Sequence, residues 1–439
     1  MITALIIIIF LAMCALMYTK KLSALFVLPV MAFLIGIASG IPFNNVTIMV
    51  DDVATTQNGL LHLLFVTGPP MLAGTIVMVI FGAVLSQMIK ITGIAETIVK
   101  KIAELAGDRP LVLGIALYLV LALLFTTLGG LGAVIMIGTV VLPIMASVGI
   151  KPLTAASILL LGLSTGGIFN LVNWGLFINV FELEVSQIRT FAFPFGGIFA
   201  VMGVLFIVVS EKFGGKILKG KKISWPEPAA AEEASEPPKK VRLISLLTPI
   251  IPLPLVVIFD FHIVTALTVA ILYCIITTIS MDSVKNLTKS VMDGIADSAG
   301  AIFLLMGIGM LLQVVWDARV TDNIGPVVAN ILPSSPVTFV IFFAIAAPLA
   351  LYRGPLNLWG LGMGLGAIMF GAGVLPAFAI MAALQTTGQL QGVCDPTNTH
   401  NVWTASATGV DVNDILRRTL PYVWCAAIVG LILASFITF

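Results

Sequence analysis

Charge is scarce in this chain. Its 439 residues carry 22 basic and 21 acidic side chains, 10% in all, where a soluble domain carries about 25%. So little charge cannot cover a water-facing surface, which excludes an ordinary soluble fold. The signs nearly balance, at net +1, which excludes a basic nucleic-acid surface. Histidine occurs three times and cysteine four times. Cys14, Cys274, Cys394 and Cys425 lack metal-ligand spacing and mostly lie in apolar runs, where free thiols pack as small hydrophobes. No metal site, no cofactor and no enzymatic His/Cys/acid constellation is expected. Acids are missing altogether from 110–181.

Apolar runs fill the space that charge leaves, with 59% of residues hydrophobic. Many of them approach the roughly 20 residues that carry a helix across a bilayer. Residues 1–19 have the look of a signal peptide. No basic residue precedes the apolar run, however, and Lys20 and Lys21 follow it, so we read a first span with its N-terminus outside. The positive-inside rule orders the rest. Spans are expected at 2–19, about 23–42, and 71–89, with an outside loop at 43–70 that holds Asp51 and Asp52. Ile94, Ile98, Ile102 and Leu105 form a stripe that predicts an in-plane helix over 91–109. Between Arg109 and Lys151 lie forty-one residues without charge, interrupted by "TTLGGLGA" at 126–133. They predict a helical hairpin entering from the cytoplasm. A span over 152–181 is broken at "LSTGGIFN", 163–170, and another follows at about 190–210. Residues 211–242, with "SWPEPAAAEEASEPPKK", read as a solvated cytoplasmic linker.

The second half repeats the plan. Spans are expected at 243–259, 262–281 and 299–316, and an in-plane helix with Val320, Ile324, Val327, Val328 and Ile331 follows. A second hairpin spans 336–374, a span over 376–400 is broken at "QTTGQLQGVCDPTN", and a last span covers about 419–438. Pro110 to Pro152 is 42 residues and Pro336 to Pro376 is 40. Gly166 lies 14 residues past Pro152, and Gly388 lies 12 past Pro376. Each half therefore reads as five spans and one re-entrant hairpin, and an odd count inverts the second half. The fold class is an all-α polytopic membrane protein of two inverted repeats, 1–210 and 243–439, joined by 211–242. Arg189 and Arg319 fall outside in this layout, against the rule.

Inverted repeats with broken helices are the architecture of secondary transporters. The layout resembles the ion transporter superfamily: divalent-anion symporters, citrate and gluconate symporters, and the large membrane subunit of TRAP transporters. "CDPTNTHNVWTASATGVDVNDILRRTLPYVW", 394–424, is similar to the C-terminal end of gluconate/citrate-type proton symporters. The "SNT" signature of the divalent-anion symporters is absent, and "TTLGG" and "RGPLN" stand at the hairpin tips. The resemblance implies an elevator mechanism, a homodimer and a place in the cell (inner) membrane.

Candidate residues cluster at the breaks. At the first tip they are Thr126, Thr127, Gly129 and Gly130, and in the first broken helix Ser164, Thr165, Gly166 and Asn170. At the second tip they are Arg353, Gly354 and Asn357, and in the second broken helix Thr386, Thr387, Gly388 and Gln389. Hydroxyls, amides and exposed helix ends there suit an anion. The Arg353 guanidinium either forks onto a substrate carboxylate or snorkels to water at the outer interface. Asp395, Asn398 and His400 are the coupling-ion candidates, with Asp395 either carrying a proton or capping a turn. Sodium held by carbonyls and hydroxyls would need no acid. The expected function is gradient-driven uptake of small organic anions such as carboxylates, with proton or sodium as the coupling ion. Alternatives are the TRAP membrane subunit and, less favoured, a sodium/proton antiporter, since exchangers use acids at the crossing point and the one midspan charge here is basic.

Overall fold

An apolar run in lipid can satisfy its backbone only within itself, as helix, and helices follow one another along nearly all of this chain. The computed structural model describes residues 1–19, 21–50, 53–217, 225, 241–279 and 282–439. The first half runs α1 (Ile2–Tyr18), α2 (Ala24–Ala38), an antiparallel ribbon of β1 (Val46–Val50) and β2 (Val53–Gln57), α3 (Leu60–His62), α4 (Ala73–Ile91), α5 (Ile94–Ala106), α6 (Pro110–Leu124), α7 (Gly130–Ser147), α8 (Pro152–Ile168), α9 (Leu171–Phe181) and α10 (Val185–Ile217). The second half runs α11 (Pro252–Val257), α12 (Ile263–Thr277), α13 (Ser283–Val315), α14 (Ala318–Ile331), α15 (Pro336–Ala346), α16 (Met363–Gly371), α17 (Ala377–Cys394), α18 (Thr399–Thr408) and α19 (Val412–Thr438).

Among the described residues, five stretches are long and apolar enough to cross a membrane alone: Leu60–Ile91, α7, Val185–Lys212, α13 and α19. Two bent pairs qualify together: α8 with α9 at 46°, and α14 with Pro336–Ala350 at 99°. The chain is an all-α, multi-pass membrane protein.

Several boundaries differ from the expected ones. The loop over 43–70 contains the ribbon, and the helical stretch that follows starts at Leu60, not at 71. The span expected at 243–259 is a 3-10 turn, Leu243–Leu247, and the six-residue α11. Pro249, Pro252 and Pro254 explain this, because each removes a backbone donor and crowds the preceding turn. The span expected at 299–316 begins at Ser283, since "SVKNLTKSVMDGIADS" is helical despite its charges. Most of the linker lies outside the described residues. Trp225 is described, and its indole N–H donates to the Ile150 carbonyl at 3.0 Å.

The two amphipathic segments expected to lie in the membrane plane are helices. α5 buries Ile94, Ala95, Ile98 and Val99 while Leu105 stays exposed, and α14 buries Val320 and Ile324 while Ile331 stays exposed. Arg319 grips Asp317 with two bonds of 2.8 Å. Burial raises the Asp317 pKa, but the Arg319 hydrogen bonds and charge outweigh it, so its carboxyl sits below the usual range. Arg189 donates to the Val257 carbonyl at 2.6 Å.

The helices form two packing groups. In one, α13 lies against α4 and α2, and α12 against α4. In the other, α8 lies against α6 and α10, α17 against α19 and α8, and α18 against α8 and α7. The groups meet where α4 touches α9 and α13 touches α7 and α16.

Candidate functional site

A helix break exposes carbonyls and N–H groups that need partners. At the first break, α8 stops at Ile168 and Asn170 restarts the chain as α9. The Asn170 side-chain oxygen accepts from the Val172 N–H at 3.0 Å. Its amide donates to the carbonyls of Phe125, the C-cap of α6, and Leu128, in the tip beyond it, at 3.2 and 3.3 Å. Asn173 donates to the Gly167 carbonyl at 2.7 Å, and Trp174 to the Ile168 carbonyl at 2.8 Å. The break is thus tied to the first hairpin tip by one asparagine.

The second break is built in a parallel way. α17 stops at Cys394, and Asp395 accepts from the Thr397 N–H at 2.8 Å and the Thr397 hydroxyl at 2.7 Å. Its other oxygen accepts from the backbone N–H of Arg353 at 3.3 Å. Asn401 donates to the carbonyls of Val393 and Asp395, at 3.0 and 2.9 Å. Gln391 accepts from the Leu358 N–H at 3.0 Å, beyond the second tip. Each break therefore grips the tip of its own half.

The two breaks also grip each other. Ser164 donates to the Gln389 side-chain oxygen at 2.5 Å, and the Gln385 amide donates to the Ile168 carbonyl at 3.0 Å. All three side chains are buried, Gln385 at 2% exposure. The Gln385 and Asn401 side-chain oxygens and the Thr404 hydroxyl are buried without a partner among the described residues. A buried oxygen acceptor left unpaired costs roughly 1–3 kcal/mol. These are the atoms that a water or a cation would complete.

At the second tip, Tyr352 and Arg353 both hold left-handed backbone, with φ of 55° and 56°. The turn closes with Gly354 donating to the Leu351 carbonyl at 2.9 Å. A Cβ at Gly354 would lie 2.1 Å from the Leu349 carbonyl oxygen, so glycine is required. The Arg353 guanidinium has no ion-pair or hydrogen-bond partner among the described residues and is partly exposed. Asn357 is buried just after it.

Not every expected site residue points into this meeting place. Thr386 and Thr387 spend their hydroxyls on carbonyls of their own helix, and the Thr386 methyl faces Gly430 of α19. Thr165 is bonded to Tyr118 at 2.7 Å and to the Leu161 carbonyl. Gly166 serves close packing, because a Cβ there would meet the Ala122 carbonyl oxygen at 2.4 Å. Thr126 and Thr127 donate to the carbonyls of Leu123 and Leu124, ending α6. Gly129 and Gly130 are exposed, with open space around them, and Gly388 lies against Leu358. Asn398 donates weakly to the Gln391 carbonyl at 3.4 Å. His400 is partly buried at the start of α18.

Reading the residues alone overlooks Gln385, Gln391, Asn173 and Asn401. The glutamines carry a visible signal: 385 and 389 are four apart, hence on one helix face.

Two solved structures share this architecture. One is the crystal structure of the YdaH transporter of Alcanivorax borkumensis, 12% identical over 99% of this chain and 98% of that one, with a TM-score of 0.55. The other is MtrF of Neisseria gonorrhoeae, described within a class of antimetabolite efflux pumps. It is 14% identical over 94% of each chain, with a TM-score of 0.58. The chain has the fold of these transporters. No protein-family model matches it, and no curated protein matches it by sequence. The likeness extends to the fold of a membrane transporter and to nothing finer, neither the ion transporter superfamily by name nor the gluconate/citrate class.

Proposed function

We propose that this chain is a secondary active transporter of the cell (inner) membrane that takes up small organic anions such as carboxylates, driven by a proton or sodium gradient. The observation that carries this reading is the junction of two helix breaks, each tied to its own hairpin tip and joined by Ser164–Gln389 and Gln385–Ile168. The N-terminus of α18, whose N-cap Asn398 makes no side-chain cap bond, and the polar side chains at the junction favour an anion. Arg353 supplies the fork for a carboxylate, and Asn357 adds an amide. Asp395, Asn398 and His400 are the coupling-ion residues of this reading. The unpaired oxygens of Gln385 and Asn401 support sodium as the other choice.

The halves act as inverted repeats, 1–210 and 243–439. Support comes from the order of elements: an amphipathic helix, a helical pair, a broken helix and a long helix occur as α5 to α10 and again as α14 to α19. Counterparts pack on each other, α4 on α13, α8 on α17 and α10 on α19. The group holding the breaks, α6–α10 with α15–α19, slides as an elevator past the remaining helices, within a homodimer.

The test is uptake of a carboxylate panel by proteoliposomes holding this chain alone, under separate pH and sodium gradients. No uptake without an added binding protein would favour the TRAP subunit. Asp395→Asn should abolish pH-driven accumulation and spare exchange, and undiminished accumulation would leave Asp395 as a turn cap. MtrF's description as an efflux pump supports a second reading, outward transport, which the opposite gradient orientation distinguishes.

A further inference from the structure

Asp297 stands out among the charges. It lies inside α13, eighteen residues before the helix ends at Val315. Its carboxylate accepts a short hydrogen bond from the amide of Gln87, a buried residue of α4. It has no basic partner among the described residues. α4 and α13 are the central pair of one packing group, so this bond fixes the carboxylate to that group. The carboxylate then faces the other group. An ideal Cβ on Gly132 would lie 2.8 Å from Asp297 Oδ2 and 3.5 Å from its Cγ. Gly132 sits in the first turn of α7, right after the exposed glycines of the first tip. This first turn has N–H groups without helical partners, and its N-cap Gly129 offers no side chain to them. A carboxylate beside that turn is electrostatically favourable.

We propose that the Gln87–Asp297 couple is a latch. It holds the first hairpin to the α4–α13 pair in the conformation described here, and the hairpin parts from it in each transport cycle. The absence of a side chain at Gly132 is what lets the carboxylate in. The latch rests on the transporter reading above, because it has a role only if the two helix groups move past each other. Asp297 is a positioning residue here and touches no substrate.

The geometry offers a direct test. With both residues as cysteine, the two Cβ atoms would stand within about 5 Å, near the ~3.8 Å mean of disulfides. The experiment replaces Cys14, Cys274, Cys394 and Cys425 and then introduces Gly132→Cys with Asp297→Cys. The protein is oxidised and reconstituted, with labelled citrate, succinate and gluconate as probes. The latch predicts that the disulfide forms, that uptake falls to background, that probe-induced thermal stabilisation persists, and that reductant restores uptake. Absence of the disulfide, or full uptake in the oxidised protein, overturns the latch while the transporter reading stands. A native chain that carries none of the probes in either direction overturns the transporter reading, and the latch with it. Gly132→Ala and Gln87→Ala loosen the contact separately. The Asp297 carboxylate, at the end of a flexible side chain, can yield to the added methyl. Each should change turnover about threefold or more with probe stabilisation unchanged, and unchanged turnover in both overturns the latch.

Discussion

Arg353 joins two properties that one substitution separates. Its backbone is left-handed, at φ 56°, a conformation that costs a residue with a Cβ roughly 1–2 kcal/mol. Its guanidinium has no acid partner to lose among the described residues. Replacing it with glycine relieves the backbone strain and also loosens the unfolded chain, which takes back about 0.4–1 kcal/mol. The net expectation for Arg353→Gly is a gain of between about 0 and about 1.6 kcal/mol. Arg353→Ala keeps the strained conformation and gains nothing, so the glycine variant should be the more stable of the two. In a chain of this length that is a rise in melting temperature of no more than about 2 °C. Anion binding should move in the opposite direction. A charge-assisted hydrogen bond contributes roughly 1.5–3 kcal/mol net, which is about 10- to 150-fold in Kd. Both variants should lose that affinity, and Arg353→Lys should lose part of it, since an ammonium has no fork. The assay is thermal unfolding in detergent with and without the anions that proteoliposomes take up. Equal melting of the glycine and alanine variants would refute the strain argument. Equal anion-induced shifts in native and variant proteins would show that the guanidinium faces water.

Three further outcomes follow from geometry already described. Ser164→Ala leaves the buried Gln389 oxygen without its donor and should cost about 1–3 kcal/mol. A double-mutant cycle with Gln389→Leu should recover part of this, and strict additivity would show that the bond contributes nothing. Cysteines replacing Lys101 of α5 and Ser334 beside α14, both exposed, should react with an impermeant maleimide from opposite sides of the membrane, and same-side labelling would end the inverted-repeat reading. The Asp317 carboxyl sits below the usual range, so its ion pair with Arg319 stabilises the fold above about pH 3.9 and is lost as pH falls through the lower folded-state value. The stability difference between native protein and Asp317→Asn should be present at pH 7 and shrink toward pH 3. A difference independent of pH would contradict this.

The helical architecture was legible because lipid leaves few choices. An uncharged run bounded by Arg109 and Lys151 has to turn where "TTLGG" stands, and it does, between Leu124 and Gly130. Proline explains both a success and a failure. Pro110, Pro152 and Pro336 open helices as expected, whereas Pro249, Pro252 and Pro254 undo a span that hydropathy alone suggests. Charge misled in α13, since Lys285, Lys289, Asp293 and Asp297 look like loop residues although nothing in them forbids helix. At the site, Ser164, Asn170, Gln389 and Asp395 were readable from their places at the breaks. The orientation of Thr165, Thr386 and Thr387 was not, because a threonine beside a break either faces it or bonds to its own helix. That choice depends on neighbours such as Tyr118 and Gly430, which lie far away in sequence.

The bond between Gln87 and Asp297 joins residues 210 positions apart. At roughly 5–20 residues per second of synthesis, Gln87 waits about 10–40 s for its partner to be made. Throughout that interval the face of α4 that ends against α13 has no protein to cover it, and its buried amide has no acceptor. The first half therefore enters the bilayer as an incomplete body whose inner surface must be held by lipid, by the insertion machinery or by a second nascent chain. Substitutions that make that surface more polar, at Gln87 or at Val84, which lies against Gly294 of α13, should reduce the yield of folded protein during biogenesis more than they lower the stability of the finished molecule.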